Sequence, residues 1–346
     1  MAVSIKDIAR LAGVSHSTVS RALRNSPLIP PDTARRIQQI AKSAGYTASA
    51  VGRSLVMRKT EAIGVVVTSI ADPFNGEVVG GIEEVANRYG YSVILANSKG
   101  NPEREMAVVR SFQERRVDGI LVASSRVGAL YIPLLSELKI PIVLLNNQHP
   151  REFVHSVTID NVDGAYQATR HLIELGHNTI AYLGDRFGLQ SDTERLAGYR
   201  RALTEARIQT KKELVVRGDG KPEGAMQAAK QLFLLSQRPT GVVCYNDMSA
   251  LGVFHAADKT NLRIPRDLSV TGFDDLFFAS LLHPSLTTIH QPRREMGQNA
   301  MEILLALLKG DEADKTVTIR GELVVRGSTS RSVPEKIQRP DLRSKA

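Results

Sequence analysis

Tryptophan is absent from the 346 residues, cysteine occurs once, and aromatic side chains make up only 5% of the chain. A lone Cys244 can form neither an internal disulfide nor a thiolate metal cluster, which fits a reducing compartment. No apolar run approaches the roughly 18 residues that cross a bilayer, so a helical membrane span is excluded. The amino end, MAVSIKDIARLAG, interrupts any apolar core with Lys6, Asp7 and Arg10. No secretory leader is therefore expected, and the cytoplasm is the expected location. Nucleophile motifs, phosphate-binding glycine loops and metal-ligand spacings are also missing, so neither an enzyme nor a bound cofactor or metal is expected. His171 and His177 in HLIELGH have no third ligand within reach by spacing, and surface or cap roles are expected of them. The tail, residues 331–346, carries no leucine heptad, and no tetramer-forming helix is expected there.

Hydrophobic residues at 42% and charged residues at 23% describe a globular protein, and the length points to two or three domains. The net charge of +9 is informative once located. Residues 1–60 hold ten Lys and Arg against Asp7 and Asp32, leaving about one net positive charge for the other 286 residues. A polyanion would be drawn to that first sixth of the chain by counterion release.

Ser4 precedes apolar residues Ile5, Ile8, Ala9 and Ala12, with Asp7 placed for a capping box. Gly13 ends this helix, Val14 fills the turn, and Ser15 caps a second helix. On the second helix Val19, Ala22 and Leu23 share one arc, leaving His16, Ser17, Thr18, Ser20, Arg21 and Arg24 on the other side. Such a short, polar helix presents hydrogen-bonding groups outward, and base edges with their flanking phosphates are suitable partners. A third helix follows Pro30 and Pro31, with Ala34, Ile37, Ala41 and Ala44 inward and Gly45 as its stop. Together the three make a helix-turn-helix unit.

The run KDIARLAGVSHSTVSRAL, followed by GYTASAVGRSLVMRKTEAIGVVV, resembles the amino-terminal signature of the LacI/GalR family of bacterial transcriptional regulators. The resemblance is continuous over about the first seventy residues and more scattered to about residue 330. It implies that His16 and Ser17 read bases with Arg21 one turn later, and that Thr18 and Ser20 suit phosphates or a thymine methyl. It also implies that SAVGRSLVMRKT is a hinge that orders on operator DNA. There Leu55 would wedge into the minor groove, at an unstacking cost of a few kcal/mol, with Arg53 among the DNA-contacting residues. Two positions depart from the usual hinge: Ala48 stands where proline is common, and Gly52 where alanine is. A glycine lowers helix propensity by about 1 kcal/mol, so this hinge is expected to order less readily.

From Ala62 onward, AIGVVVTS, YSVILANS, GILVAS, IPIVLLN, TIAYLGD, TGVVCYND and LSVTGFDD read as buried parallel strands. Helical patterns lie near 76–90, 102–116, 163–176, 192–208, 223–236 and 247–261. Alternation of this kind makes doubly wound sheets that bind ligands beyond the carboxyl ends of their strands. The expected fold is an all-α helix-turn-helix headpiece followed by an α/β body of two doubly wound parallel-sheet lobes, similar to periplasmic binding proteins. The resemblance places crossovers near residues 161, 291 and 321. The divisions are then a headpiece at 1–47, a hinge at 48–60, a body at 61–330 and a tail at 331–346. Within the body, one lobe would take about 61–161 and 292–320, the other about 162–290 and 321–330.

In the family, positions matching Arg195, Asn246 and Asp274 contact a small effector, and those matching Phe74 and Asn146 line its pocket. Asp160, at another strand end, is a further candidate, whereas Asp247 and Asp275 are expected to cap helices. Guanidinium, amide and carboxylate together suit the vicinal hydroxyls of a sugar or sugar derivative. Without tryptophan, stacking on a sugar face falls to Phe74, Tyr245 or Phe273. A homodimer on a pseudopalindromic operator is the expected assembly, with helices near 75–90 and 102–116 as its surface. The alternative is a sugar-binding transport protein without DNA control, against which the basic headpiece argues.

Overall fold

A computed structural model describes residues 3–46, 59–123, 140–146, 155–313 and 316–332. The chain divides into two compact units, Met1–Glu61 and Ala62–Ala346. In the first, Ser4 and Asp7 cap helix α1 (Ile5–Ala12) reciprocally: Asp7 N donates to Ser4 Oγ at 3.3 Å, and Ser4 N donates to Asp7 Oδ2 at 3.0 Å. Gly13 takes the left-handed conformation that ends α1, at φ 62°. Ser15 then caps α2 (His16–Ala22), and Pro31 opens α3 (Pro31–Ser43). Ile8, Ala9, Ala12, Val19, Ala22, Ile37 and Ala41 form the shared core, with Leu23, Ala34 and Ala44 partly buried against it. Two side chains of α3 satisfy the ends of the other helices: Arg36 donates to Ala12 O at 3.1 Å and Gln38 to Ala22 O at 3.1 Å.

The second unit contains two six-stranded sheets. Its elements in chain order are β1 (Ala62–Val67), α4 (Pro73–Arg88), β2 (Ser92–Asn97), α5 (Pro102–Glu114), β3 (Gly119–Ala123), β4 (Ile142–Leu145), β5 (Ser156–Ile159), α6 (Asn161–Glu174), β6 (Ile180–Asp185), α7 (Gln190–Glu205), β7 (Val215–Gly218) and α8 (Pro222–Phe233). There follow β8 (Gly241–Cys244), α9 (Asp247–Lys259), β9 (Ser269–Asp274), β10 (Thr287–His290), α10 (Arg293–Lys309), β11 (Thr316–Ile319) and β12 (Glu322–Val324). One sheet runs β11-β5-β4-β3-β1-β2, parallel throughout. The other runs β12-β10-β9-β8-β6-β7, with β12 alone antiparallel, against β10.

Strands β1, β3, β6, β8 and β9 are buried almost throughout because helices cover both of their faces. The expectation of a buried strand fails for β2, a sheet-edge strand whose residues are exposed or half-buried despite the apolar run SVILAN.

The chain changes sheet after β5, after β10 and after β11. These crossings are neighbours: Asp160 N donates to Ile319 O at 2.8 Å, and a Cβ on Gly321 would lie 3.1 Å from His290 O. The second crossing returns α10 to the first sheet, where it packs on α4 through facing glycines. A Cβ on Gly81 would stand 2.0 Å from Arg294 O, and one on Gly297 2.1 Å from Val78 O. That backbone contact admits hydrogen and nothing larger.

Candidate functional site

Two surfaces carry the chemistry, one in each unit. On α2, Val19 and Ala22 are buried while His16, Ser17 and Arg21 are exposed and Thr18 and Ser20 half-buried. The hydroxyls are already arranged by the helix: Ser15 Oγ lies 2.8 Å from both Ser17 Oγ and Thr18 Oγ1, and Ser20 Oγ accepts from Arg24 at 3.2 Å. The side chains of His16 and Arg21 make no hydrogen bond or ion pair among the described residues, so their donors face solvent at the start and in the last turn of the helix. A guanidinium in that position can give two parallel donors to a guanine edge. Arg53 and Leu55 lie outside the described residues.

The second surface is a cleft between the two sheets, lined by Asp72, Phe74, Asn146, Leu189, Ser191, Arg195, Tyr245, Asn246, Asp274 and Gln291. Both lobes contribute. Asp72 caps α4 by accepting from Phe74 N at 3.0 Å, which sets Phe74 at the helix start facing the opposite lobe. Asn146, just past β4, sits at φ 49°, a left-handed conformation that asparagine tolerates.

From the other lobe, α7 is anchored by Asp192, which accepts from Tyr182 Oη and Asp185 N at 2.9 Å each and from Arg217 at 2.6 Å. Ser191 and Arg195, one turn apart, are thereby held toward the cleft. Ser191 Oγ meets Tyr245 Oη at 2.9 Å. Arg195 is only 5% exposed. Its Nε donates to Asn161 Oδ1 at 2.9 Å and its Nη1 to Tyr245 O at 2.5 Å. The guanidinium lies 3.7 Å over the Phe273 ring and 4.7 Å from that of Tyr245.

Asn246 caps α9, accepting from Ser249 N at 2.8 Å while its Nδ2 donates to Gly220 O at 3.1 Å. Asp274 closes β9 at φ 115° and accepts from Gln291 Nε2 at 2.5 Å. Burial pushes the Asp274 carboxyl up to about 7; Arg195, Arg293 and the Gln291 amide oppose the rise, and the Asp72 charge adds to it. Asp72 is itself raised by burial.

Five of the six expected effector residues, Phe74, Asn146, Arg195, Asn246 and Asp274, thus meet in one cleft. Asp160 does not line it: its carboxylate accepts from Asp163 N at 2.9 Å and caps α6. The expected cap roles of Asp247 and Asp275 also give way. Asp247 is fully buried and accepts from Leu276 N at 2.7 Å and Thr288 Oγ1 at 2.6 Å, joining α9 to the second sheet. Asp275 accepts from His290 at 2.9 Å and Arg326 at 2.7 Å. Of the three aromatic candidates for stacking, Phe273 is buried beneath Arg195, whereas Phe74 and Tyr245 line the cleft.

His171 meets Thr329 at 2.9 Å, and His177 meets Thr240 at 2.9 Å and Ser330 O at 3.0 Å, which fastens the segment after β12 to the second lobe. Asp72, Ser191 and Gln291 are cleft groups beyond those expected. Ser191 could have been found from its four-residue spacing to Arg195, but Gln291 follows a four-residue strand that carries little sequence signal.

Two family descriptions match the chain: bacterial regulatory proteins of the lacI family over residues 4–49, and a periplasmic binding protein-like domain over residues 169–329. The HTH-type transcriptional repressor PurR of Vibrio atlanticus (strain LGP32) is 36% identical over 331 residues, covering 95% of this chain and 99% of that protein. The HTH-type transcriptional regulator RegA of Clostridium saccharobutylicum is 37% identical over 331 residues, covering 95% and 100%. The lac repressor dimer bound to operator and the anti-inducer ONPF shares the fold with a TM-score of 0.87 at 28% identity, covering 95% of this chain and 100% of that one. A capped basic three-helix unit, a two-sheet body with a polar cleft, and relatives matched over nearly their whole length give one answer: the chain belongs to the LacI family of bacterial regulatory proteins.

Proposed function

We propose that this DNA-binding transcriptional regulator acts in the cytoplasm as a homodimeric repressor whose hold on a pseudopalindromic operator is set by a sugar or sugar derivative in the cleft. Five side chains converge between two lobes, four with hydrogen-bonding groups suited to polyol hydroxyls and Phe74 with a ring that can stack on a sugar face, and that observation carries the reading. His16, Ser17 and Arg21 read base edges, Thr18 and Ser20 contact phosphate or a thymine methyl, and Arg53 and Leu55 act from the hinge. Phe74, Asn146, Arg195, Asn246 and Asp274 hold the effector. The division into headpiece 1–47, hinge 48–60, body 61–330 and tail 331–346 belongs to the same reading.

Occupancy of the cleft favours one relation of the lobes and so alters the spacing of the two hinges in the dimer. A full switch from 1:99 to 99:1 would need about 5.5 kcal/mol of differential affinity, so partial switching is the expected behaviour. Titration of full-length protein onto duplexes selected from random sequence, followed by fluorescence anisotropy across a sugar and polyol panel, tests the reading. A specific duplex and at least one sugar that changes its affinity are the expected results; no preference over bulk competitor DNA would overturn it. Arg21→Ala is expected to lose about 1–3 kcal/mol of sequence discrimination, with sugar affinity retained.

A further inference from the structure

A second cavity, of about 430 Å3, opens at the amino ends of β6, β8 and β9, where His177, Thr240 and Asp267 stand just ahead of the three strands. The interlobe cleft lies beyond the carboxyl ends of the same sheet. The six residues of β9, at about 3.3 Å each, put roughly 20 Å between the two, so this cavity is no part of the effector cleft. Its size is that of a small-molecule pocket, far beyond the room one water needs.

Three arginines from separate segments line it: Arg238 from the loop between α8 and β8, Arg266 from the loop between α9 and β9, and Arg331 from the segment after β12. All three are exposed, and none makes a hydrogen bond or ion pair among the described residues. The one carboxylate among the described lining residues, Asp267, is already spent: Arg263 grips both of its oxygens, at 2.7 and 2.9 Å, and holds it down at about 2. Near neutral pH His177 adds no charge, since burial lowers its proton affinity, and its two nitrogens are taken up by Thr240 and Ser330 O. The wall therefore offers three unspent positive charges. It is also braced. Ser330 N donates to Ser269 Oγ and Ser330 Oγ to Pro265 O, both at 3.1 Å, which ties the segment bearing Arg331 to the loop bearing Arg266. Half-buried Phe233, Leu235 and Pro265 add apolar surface to the same cavity.

We propose that this cavity is a second ligand site, for the phosphate ester of a small metabolite: the three arginines take the phosphate, and Phe233, Leu235 and Pro265 pack against the carbon skeleton. A phosphate ester carries about 1.5 to 2 negative charges near pH 7, and its oxygens match the two-pronged donor of arginine. A single carboxylate would leave most of the positive charge unmet. The inference does not depend on the effector reading, and either stands without the other.

Calorimetric titration of the full-length chain at about 0.15 M salt, where exposed charges are screened beyond about 8 Å, tests it. The probes are inorganic phosphate, glycerol 3-phosphate, ribose 5-phosphate, glucose 6-phosphate and AMP, each ester beside its unphosphorylated parent. At least one ester is expected to bind at least about tenfold tighter than its parent. Arg238→Ala, Arg266→Ala and Arg331→Ala combined are expected to weaken that ester at least about tenfold, with the urea unfolding midpoint unchanged because the three side chains are exposed and unpaired. The same loss of charge at Arg170, Arg200 and Arg201, exposed on α6 and α7, is expected to change the affinity less than about twofold. A chain that binds no ester, or that binds a phosphoserine peptide alone, overturns the inference. So does an ester that either binds the first variant as tightly as wild type or is weakened equally by both variants.

Discussion

Asp274 is a carboxyl whose environment works against its charge from several sides. It is buried, it faces Asp72 across the cleft, and its own charge helps raise the proton affinity of the buried Asp247. Arg195, Arg293 and Gln291 pull the other way and bring it only as far down as about 7. An ordinary aspartate titrates near 3.9. Between those two values the folded chain keeps a proton that the unfolded chain has released, so stability falls as pH rises through this window and levels off above it. The slope for one proton is at most about 1.4 kcal/mol per pH unit. Asp274→Asn removes the proton and keeps an acceptor for Gln291. Urea unfolding at a series of pH values is therefore expected to show wild type losing stability relative to the variant from about pH 4 to about 7; a constant difference would mean that the carboxyl ionises as it does in water. Arg195, near the start of a helix, and Asp274, at a strand end, were legible as site residues because their types and positions matched the family pattern. Asp160, Asp247 and Asp275 look the same in sequence, and only the partner each finds separates a cap from a brace or a ligand group.

Among the elements, the headpiece was readable nearly residue by residue, since Ser4, Asp7, Gly13 and Ser15 act within a turn of where they stand. The long β-branched strands were readable for the same reason. Strands β5, β7, β10, β11 and β12 were not: three or four residues carry no period, and unlike the equally short β4 (IVLL) and β8 (GVVC) they are broken by polar side chains, so they owe their conformation to the sheet that receives them. Helix α10 also went unread, and with it the glycine contact to α4. Gly297→Ala would drive a Cβ to 2.1 Å from the Val78 carbonyl, a backbone atom that cannot move aside. Such overpacking is expected to cost about 1–3 kcal/mol. Gly80 lies on α4 with nothing nearer than 3.7 Å, so Gly80→Ala should instead gain about 0.5–1 kcal/mol from helix propensity. Opposite signs for the two variants in denaturant titration would show that close approach, and not glycine's flexibility, decides the first position.

At the scale of the molecule, charge and architecture divide the labour. About eight of the nine net positive charges lie in residues 1–60, while the two sheets and the cleft lie in residues that are close to neutral. A headpiece whose α2 offers only a few outward donors supplies limited specificity alone, and a two-fold dimer doubles both the readout and the phosphate contacts. Two α2 helices related by a two-fold axis must enter successive major grooves on one face of the duplex, which fixes their separation near one helical turn of about 10 base pairs or a multiple of it. Scrambling one half of a selected operator is expected to weaken binding by at least about a hundredfold at constant salt. Inserting about five base pairs at its centre turns the second half to the far face and should weaken binding as much, while inserting about ten should restore part of it. Equal affinity for the intact, half-scrambled and half-turn duplexes would mean that one headpiece binds alone, and the dimer would then have no part in recognition.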